Sequence, residues 1–255
     1  MADVLSLFRL DGKVAIVTGA SRGLGAALAV ALAEAGADVA LVARGDLATT
    51  AAAVRATGRR ALEIPADLAA PESPAAVLAA VRAGLGDADI LVNNAGIIRR
   101  AALLEFTAND WDDVMTVNLE RVFQLSQGFA QALVAAKRPG KIINIASMLS
   151  FQGGVRVVSY TASKSALAGL TKAMANELAG AGINVNAIAP GYMATDNTEA
   201  LRADPARSRS ILDRIPAGRW GESADLKGAA VFLASPASDY MHGHILAVDG
   251  GWLAR

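Results

Sequence analysis

The sequence of 255 residues contains no cysteine and only two histidines. Without cysteine the chain can form neither disulfides nor thiolate metal sites, and two histidines supply few nitrogen ligands. We therefore expect no bound metal. The lack of cysteine also allows a reducing compartment, and we expect the protein to be cytoplasmic.

An excess of charge of either sign is missing as well. Twenty-four basic residues balance 24 acidic ones, and no run of lysines and arginines is suited to a phosphate backbone, so we expect no nucleic acid partner. No uncharged apolar run reaches the ~18 residues that cross a bilayer, and residues 1–10 lack the apolar core of a signal peptide. We expect no membrane partner either.

Short aliphatic runs are what the chain does have. Hydrophobic residues make up 53% of it, and runs rich in Val, Ile and Leu alternate with alanine-rich helical stretches, a pattern typical of buried parallel strands joined by helices. The runs are residues 13–18, 38–43, 61–64, 89–92, 141–146, 184–188 and 245–248. They predict an α/β fold in one domain spanning residues 1–255: a Rossmann-type doubly wound sheet of seven parallel strands with helices on both faces.

A polar segment at about 191–220 breaks this alternation. It follows a strand end, where long insertions often act as lids over a ligand. Its five arginines are Arg202, Arg207, Arg209, Arg214 and Arg219. A solvated surface helix would have the same composition, so a lid-like insert and a plain surface helix are both open at this point.

The first predicted strand runs directly into TGASRGLG, residues 18–25, and then into an alanine-rich helix. Glycines in such a turn let the backbone approach a pyrophosphate, and the helix N-terminus favours its negative charge. A purely structural glycine turn is the alternative, but the position after a first strand favours a dinucleotide-binding loop. The candidate cofactor contacts in this loop are Gly19, Ser21, Arg22, Gly23, Leu24 and Gly25.

Two arginines bear on which dinucleotide binds. An acidic residue at the end of the second strand would accept a hydrogen bond from the ribose 2′-hydroxyl of NAD, but that position holds Ala43, followed by Arg44. Arg22 and Arg44 could instead converge on the 2′-phosphate of NADP as bidentate donors. This favours NADP over NAD, although either arginine could be solvated or form a surface ion pair.

Further polar residues follow the third and fourth predicted strands. Asp67 could accept from the adenine amino group, and the run Asn93-Asn94-Ala95-Gly96 comes directly after the fourth strand. Each of these alone is ordinary turn chemistry. Because the carboxyl ends of parallel strands share one edge, together they line one crevice.

Tyr160 and Lys164 lie four residues apart on a predicted helix and therefore share one face. Carbonyl reduction needs a proton donor, and a nearby ammonium lowers the pKa of a phenol from its usual value of about 10. Ser147, at the end of the fifth strand, would hold the substrate oxygen. Asn118 lies inside a predicted helix at about 109–136, where asparagine is a poor helix former. Its amide could hold a water that relays protons to Lys164, or it could be a surface amide.

These motifs occur in the order and spacing of the short-chain dehydrogenase/reductase family, which the chain resembles over nearly its whole length. They are TGASRGLG, NNAG, Asn118, Ser147, YTASK and Pro190-Gly191. The resemblance implies an NAD(P)-dependent enzyme, commonly a homotetramer, with a catalytic tetrad of Asn118, Ser147, Tyr160 and Lys164. It also implies cofactor contacts at Asp67, Leu68, Asn94, Ala95, Gly96, Tyr160, Lys164, Pro190, Gly191 and Thr195.

Side chains near the predicted tetrad bear on the substrate. Residues 97–100, 146–156 and 192–195 place arginines beside polar groups, a set suited to a carboxylate and several hydroxyls. The candidates are Arg99, Arg100, Ser147, Met148, Gln152, Arg156, Tyr160 and Tyr192. With IPAGRWG at 215–221 and VDGGWLAR at 248–255, these strings resemble a branch of the family that acts on a deoxy sugar acid and is usually associated with NAD. We therefore predict ketone–alcohol interconversion on a small-molecule deoxy sugar acid, with NADP or NAD as cofactor.

Two other functions are compatible with parts of this evidence. A 3-oxoacyl-carrier-protein reductase or a broad ketoreductase would share the tetrad, although the neutral composition does not indicate a basic docking face for an acidic carrier. A dinucleotide-sensing regulator without turnover would need neither Tyr160 nor Lys164, and both are present.

The chain end, residues 252–255, reads WLAR and is too apolar for a free tail. It could pack against the chain's own core or, as the family resemblance suggests, at a subunit interface.

Overall fold

Seven parallel strands form one sheet in this computed structural model, which describes residues 3–255 apart from the side chain of Asn197. The strands are β1 (Val14–Thr18), β2 (Asp38–Ala43), β3 (Ala61–Pro65), β4 (Ile90–Asn93), β5 (Gly140–Ile145), β6 (Ile183–Pro190) and β7 (Ile245–Val248). They lie in the order β3-β2-β1-β4-β5-β6-β7, and neighbouring strands are parallel. All seven predicted strands are confirmed, with ends shifted by at most two residues.

Helices pack on both faces of this sheet, as predicted. They are α1 (Gly23–Glu34), α2 (Ala48–Ala56), α3 (Ser73–Gly84), α4 (Ala108–Met115), α5 (Arg121–Ala135), α6 (Val158–Leu178), α7 (Glu199–Ala203), α8 (Pro205–Leu212) and α9 (Lys227–Ala234). Successive side chains of a strand point to opposite faces. In β1, Val17 therefore packs in one apolar cluster with Leu28 of α1, while Ile16 packs in the other with Phe129 of α5.

The strand order reverses direction at the centre of the sheet. From β1, strands β2 and β3 extend to one side and β4 to β7 extend to the other. At such a point the loops that follow the two central strands diverge and open a crevice at the carboxyl edge. Residues 19–22 follow β1 and residues 94–102 follow β4. Both predicted cofactor motifs therefore border this crevice.

The insert, residues 191–220, leaves the same edge of the sheet after β6. It contains a 3-10 turn (Asp196–Thr198), α7 and α8, and a parallel bridge between Met193 and Gly221 closes its base. Its action as a lid and the one-domain organisation of the chain stay predictions. Within residues 3–255, no helix combines the length and the apolar character needed to cross a membrane.

Candidate active site

The loop after β1 is shaped by its glycines. Gly19 (φ +67°) and Gly23 (φ +57°) adopt the left-handed conformation that side chains disfavour. A Cβ at Gly25 would overlap the carbonyl oxygen of Gly19, so the first turn of α1 packs directly on the loop. Beside Gly23, by contrast, the nearest atom that a Cβ would meet is Thr195 Cγ2, 4.0 Å away. This open space at a helix N-terminus fits a dinucleotide pyrophosphate.

Hydrogen bonds tie this loop to the strands beside it. The backbone N–H groups of Asn94 and Ala95 each donate to Thr18 Oγ1 at 3.0 Å, and Asn94 Nδ2 donates to the Thr18 carbonyl oxygen at 2.9 Å. Within the sheet, Asn93 Nδ2 donates to Asn144 Oδ1 at 2.9 Å. The NNAG run therefore joins β1, β4 and β5 at the crevice.

The two arginines predicted to select NADP each face a carboxylate. Arg22 Nη1 lies 3.1 Å from Asp196 Oδ2 in the insert, and Arg44 Nη1 lies 3.9 Å from Asp67 Oδ2. All four side chains are at least half exposed, so each ion pair contributes at most about 1 kcal/mol to stability. The net charge of these four groups is zero, which is less favourable to a 2′-phosphate than two unpaired arginines would be.

Asn118 lies inside the predicted helix 109–136, which is confirmed over residues 108–135. A π-helical turn, Thr116–Glu120, joins α4 to α5 within it, and this turn was not predicted from the sequence. The Asn118 side chain is 1% exposed. Its Oδ1 accepts from Ile97 N at 2.8 Å, and its Nδ2 donates to Ile97 O at 2.9 Å and to Ser163 Oγ at 3.2 Å. Asn118 thereby fixes the loop after β4 against α6; a water relay through it stays a prediction.

Tyr160 and Lys164 stand on successive turns of α6. The ammonium Nζ lies 5.6 Å from the centre of the Tyr160 ring and donates to the Ile145 carbonyl oxygen at 2.5 Å. Lys164 is 4% exposed, and this burial lowers the pKa of its ammonium to about 8. At pH 7 the ammonium is therefore mainly protonated, and its charge lies beside the phenol.

The surroundings of Tyr160 shift the pKa of its phenol in two opposite directions. Burial raises the pKa of the phenol, while the hydrogen bond from the Ser147 hydroxyl and the positive charge of Arg100 lower that pKa. Ser147 precedes a 3-10 turn, Met148–Ser150, and its Oγ accepts from Leu149 N at 3.1 Å. The phenol is thus held in the protonated form that can donate, with groups beside it that stabilise the phenolate.

Ser163 is a positioning residue that the sequence analysis missed. Its fully buried Oγ donates to the Tyr160 carbonyl oxygen at 2.9 Å and accepts from Asn118 Nδ2. It therefore connects the π-helical turn to the helix turn that carries Tyr160. The signal was available: Ser163 is three residues after Tyr160 on one helix, and such residues share a face.

The predicted substrate arginines lie in different settings. Arg99 is held by Asp110, 3.3 Å away, and by Asp113, 2.9 Å away. Arg100 is exposed, and its charge acts on the Tyr160 phenol. Of the two neighbours, Arg100 is the one whose charge acts on the predicted catalytic tyrosine.

The segment before α6 carries the third arginine. Arg156 is exposed and has a left-handed backbone (φ +63°), and its carbonyl oxygen accepts from Ala101 N at 3.2 Å. Gln152 is half-buried, and its N–H donates to the Met148 carbonyl oxygen at 3.3 Å. These contacts join the segment before α6 to the loop after β4 and to the turn that follows Ser147.

The insert and the chain end meet in an aromatic cluster. The Tyr192 ring packs edge-on against Trp220, at 5.5 Å between centroids, and against Trp252, at 4.8 Å. Met148, the neighbour of Ser147, belongs to the same apolar cluster. Tyr192 and Met148 were predicted site residues, whereas Trp220 and Trp252, although they lie in the strings 215–221 and 248–255 noted in the sequence, were not.

The end of β6 carries the remaining predicted cofactor positions. Pro190 is paired with Val248 of β7, and a Cβ at Gly191 would lie 2.6 Å from Asp249 Cα, so only glycine fits there. Thr195, in the insert, faces the open space at Gly23. These positions lie at the same edge of the sheet as the glycine loop, and Thr195 lies beside that loop.

The assembled site combines a protonated phenol, a buried ammonium, a serine hydroxyl and an open glycine loop. Within the described part of the chain, no group of three or more His, Cys, Asp or Glu side chains is placed to hold a metal ion. The arrangement can hold a dinucleotide and exchange a proton with an oxygen atom beside it.

Comparison with known proteins agrees with this geometry. The family described as short chain dehydrogenase matches residues 13–206. The 2-dehydro-3-deoxy-D-gluconate 5-dehydrogenase of Dickeya dadantii is 58% identical over 252 residues, which cover 99% of this chain and 100% of that protein.

Solved structures are similar over nearly the whole chain. A proposed 2-deoxy-D-gluconate 3-dehydrogenase from Agrobacterium tumefaciens with bound NADP is 57% identical, has a TM-score of 0.91, and covers 98% of this chain and 99% of its own. A gluconate 5-dehydrogenase from Burkholderia cenocepacia in complex with NADP and tartrate is 44% identical, with a TM-score of 0.94 and coverage of 99% and 100%. The family resemblance and the fold predicted from the sequence are confirmed.

Proposed function

The chain belongs to the short chain dehydrogenase family, and on that premise we propose that it interconverts a ketone and a secondary alcohol on a deoxy sugar acid with an NADP or NAD cofactor. The substrate we propose is 2-dehydro-3-deoxy-D-gluconate, reacting at carbon 5, as in the name of the Dickeya dadantii relative. The observation that carries the proposal is the convergence of Ser147, Tyr160 and Lys164 beside the crevice, with Asn118 and Ser163 holding them in place.

Each member of this group has a distinct part in the proposed reaction. When bound, the nicotinamide supplies or accepts the hydride. In the direction of reduction, the Tyr160 hydroxyl gives its proton to the carbonyl oxygen of the substrate, and in oxidation the phenolate takes the hydroxyl proton back. Ser147 holds the same oxygen by a hydrogen bond. The Lys164 ammonium stabilises the phenolate by its charge.

We propose that the crevice binds either dinucleotide, with a modest preference for NADP. Arg22 and Arg44 supply donors for a 2′-phosphate, and relatives of this chain hold NADP. Asp196 and Asp67 offset part of that positive charge, so NAD is not strongly excluded. We therefore expect activity with both cofactors.

Arg100 is the residue to which we assign the carboxylate of the substrate. It is exposed, and its positive charge acts on the Tyr160 phenol, beside which the substrate is proposed to react. A planar guanidinium suits bidentate recognition of a carboxylate. Arg156, Gln152 and Tyr192 remain candidates for the hydroxyl groups.

We further propose that the insert acts as a lid, that residues 1–255 fold as one domain, and that the protein works as a cytoplasmic homotetramer. Large apolar side chains on and beside α4 and α5 support the assembly, because exposed apolar surface of this kind marks protein contacts. They are Leu103 (71% exposed), Leu104 (99%), Trp111 (37%) and Phe123 (42%). Light scattering on the purified protein would measure the mass of the assembly; a monomer would contradict this part of the proposal.

The function is tested by turnover of matched substrates with NADPH and NADH in parallel. The panel should contain the 5-keto form of 2-dehydro-3-deoxy-D-gluconate, 5-keto-D-gluconate, an uncharged ketone of similar size and a 3-oxoacyl thioester. We expect the highest kcat/KM for the deoxy sugar acid. Equal or better turnover of the thioester or the uncharged ketone would contradict the substrate class, and dinucleotide binding without any turnover would contradict the enzyme.

A further inference from the structure

The last seven residues of the chain hold one end of the insert. Gly250 accepts through its carbonyl oxygen from Ala217 N at 3.0 Å, and Arg255 Nη2 donates to the Asp213 carbonyl oxygen at 2.7 Å. Asp249 stabilises the turn itself, because its two carboxylate oxygens accept from the backbone N–H groups at positions 251 and 253, at 2.9 and 2.8 Å. The chain end therefore packs on its own subunit, as one of the two sequence interpretations expected.

Trp252 lies at the centre of this contact. It is 4% exposed, its ring meets Tyr192 edge-on at 4.8 Å, and the Arg214 guanidinium lies 4.0 Å from its centroid. The buried indole N–H has no hydrogen-bond partner among the described residues. The side chain is thus held by its aromatic faces and its volume, with no contribution from its polar atom.

The same apolar cluster reaches the predicted catalytic centre. Trp252, Met148, Ile211 and Ile215 are its buried members, at 2–5% exposure. Met148 directly follows Ser147, whose hydroxyl caps the turn beginning at Met148. Ile211 and Ile215 belong to α8 and to the segment after it. One cluster therefore supports both the serine turn and the second half of the insert.

The insert is held by contacts of very different kinds. Its first half meets the glycine loop through Arg22 and Asp196, an ion pair whose side chains are 79% and 66% exposed. Such a pair contributes little and is weakened by salt. The second half is fixed by buried aromatic and aliphatic packing. Movement of the insert is therefore expected around Asp196, between Met193, which is 5% exposed, and Leu201, which packs against the Trp252 cluster.

We propose that Trp252 is a positioning residue, which fixes the insert at its second half and supports the turn that carries Ser147. The proposal rests on the proposed function for its effect on the substrate, but its effect on the insert does not depend on the substrate. Removal of Trp252 should release residues 200–214 and loosen the binding of the sugar acid, while the glycine loop, which lies outside the cluster, keeps its affinity for the dinucleotide.

The test compares Trp252→Ala, Trp252→Leu and Trp252→Phe with Tyr240→Ala, an aromatic truncation at a fully exposed site (104%). Trypsin reports directly on the insert, because Arg202, Arg207 and Arg209 are exposed cleavage sites there. In folded protein, cleavage follows the population of the open form. Loss of an aromatic pair and a cation–π contact should raise the cleavage rate about tenfold in Trp252→Ala.

The conservative variant sharpens the test. Trp252→Phe keeps an aromatic face for Tyr192 and Arg214 and loses only an N–H without a partner, so its cleavage rate should stay within about twofold of the wild type. Trp252→Leu keeps the cluster filled without an aromatic face and should lie between the other two. The comparison of cleavage rates can also be made with Trp252→Leu if Trp252→Ala does not fold.

Steady-state kinetics give the second measurement. In Trp252→Ala the KM for the keto sugar acid should rise about tenfold, while the Kd for NADPH, measured by fluorescence titration without substrate, stays within about twofold. Cleavage within residues 202–214 that is no faster than in Tyr240→Ala would overturn the proposal. So would a parallel loss of NADPH affinity, because it would indicate general destabilisation.

Failure of the proposed function would look different. If the wild-type protein turned over no sugar acid, the substrate assignment would fall, while the trypsin comparison would still decide the role of Trp252.

Discussion

The charged residues at the carboxyl edge of the sheet fall into two groups that are held in opposite ways. Lys164 is 4% exposed, bonds to a backbone carbonyl, and has no carboxylate partner among the described residues. Arg22, Arg44 and Arg99 have side chains 41–79% exposed and each faces at least one aspartate. Lys164 lies at the predicted catalytic site, and the three arginines surround that site.

The buried lysine and the exposed arginines differ in their effect on the stability of the fold. Burying a charge without a partner of opposite sign lowers stability, which is why the pKa of Lys164 falls to about 8. An exposed ion pair changes stability by at most about 1 kcal/mol. The buried Lys164 therefore lowers the stability of the fold, whereas the surrounding arginines can be altered with little effect on folding. Substitutions in the two groups should differ accordingly.

The largest effect is expected at the buried centre. Tyr160→Phe removes the proton donor and keeps the ring, so kcat should fall by about a thousandfold, within the range for general acid–base catalysis. The Kd for NADPH should stay within about twofold of the wild type, because the phenol proton has no part in dinucleotide binding. Single-turnover rates and fluorescence titration measure the two quantities; a variant with more than a tenth of the normal kcat would refute the role of Tyr160.

A smaller effect is expected at the substrate side. Arg100→Gln should raise the KM for the deoxy sugar acid about tenfold through the loss of a charged hydrogen bond, with little change for an uncharged ketone. Arg99→Gln is the matched control, because it removes the neighbouring guanidinium, which pairs with Asp110 and Asp113 on α4. If the two variants raised KM equally, the assignment of the carboxylate to Arg100 would be wrong.

Cofactor choice should respond more weakly still. Arg44→Asp replaces a candidate 2′-phosphate donor by a carboxylate at the end of β2, where an acidic side chain suits the ribose of NAD. The ratio of kcat/KM for NADPH to that for NADH should fall about fivefold, which is modest because Asp67 already offsets Arg44. An unchanged ratio would show that Arg44 does not contact the 2′-phosphate.

The smallest effect concerns the exposed pair between the glycine loop and the insert. Asp196→Asn frees Arg22 from its carboxylate, so NADPH should bind about twofold more tightly, an effect within the range of an exposed ion pair. NADH affinity should not change, since NADH lacks the 2′-phosphate. Titrations at low and high salt would check this, because the gain should shrink as salt rises. Weaker NADPH binding would contradict the competition between Asp196 and the phosphate.

The same contrast explains what could be predicted from the sequence. The strands, the glycine loop and the grouping of Tyr160, Lys164 and Ser147 are predictable because buried parallel strands are aliphatic and because helix and strand periodicities place these three residues at one edge. The π-helical turn at Asn118 was not predicted, and the partners of the Asn118 side chain, Ile97 and Ser163, lie in other parts of the chain.

The candidate substrate-binding residues were harder to predict from the sequence than the candidate catalytic residues. Arg99 and Arg100 are adjacent in sequence and indistinguishable by composition, yet only the structure shows that the charge of Arg100 acts on the Tyr160 phenol. Likewise, the contact between Trp252 and Tyr192 joins segments some 60 residues apart and has no local signal.

The central claim is that the buried ammonium is kept for chemistry at the expense of stability, and Lys164→Met tests it most directly. Lowering the pKa from 10.5 to about 8 corresponds to about 3 kcal/mol, and loss of the bond to Ile145 returns about 1 kcal/mol, so the variant should be more stable by about 2 kcal/mol at pH 7. Because the unfolded lysine binds more protons between pH 8 and 10.5, wild-type stability rises with pH over that interval relative to the variant.

The measurement is the free energy of unfolding in denaturant at pH 7 and pH 10, alongside turnover. A more stable, inactive variant whose advantage shrinks at pH 10 is the predicted result; a variant less stable than the wild type at pH 7, or one that keeps its activity, would contradict the account.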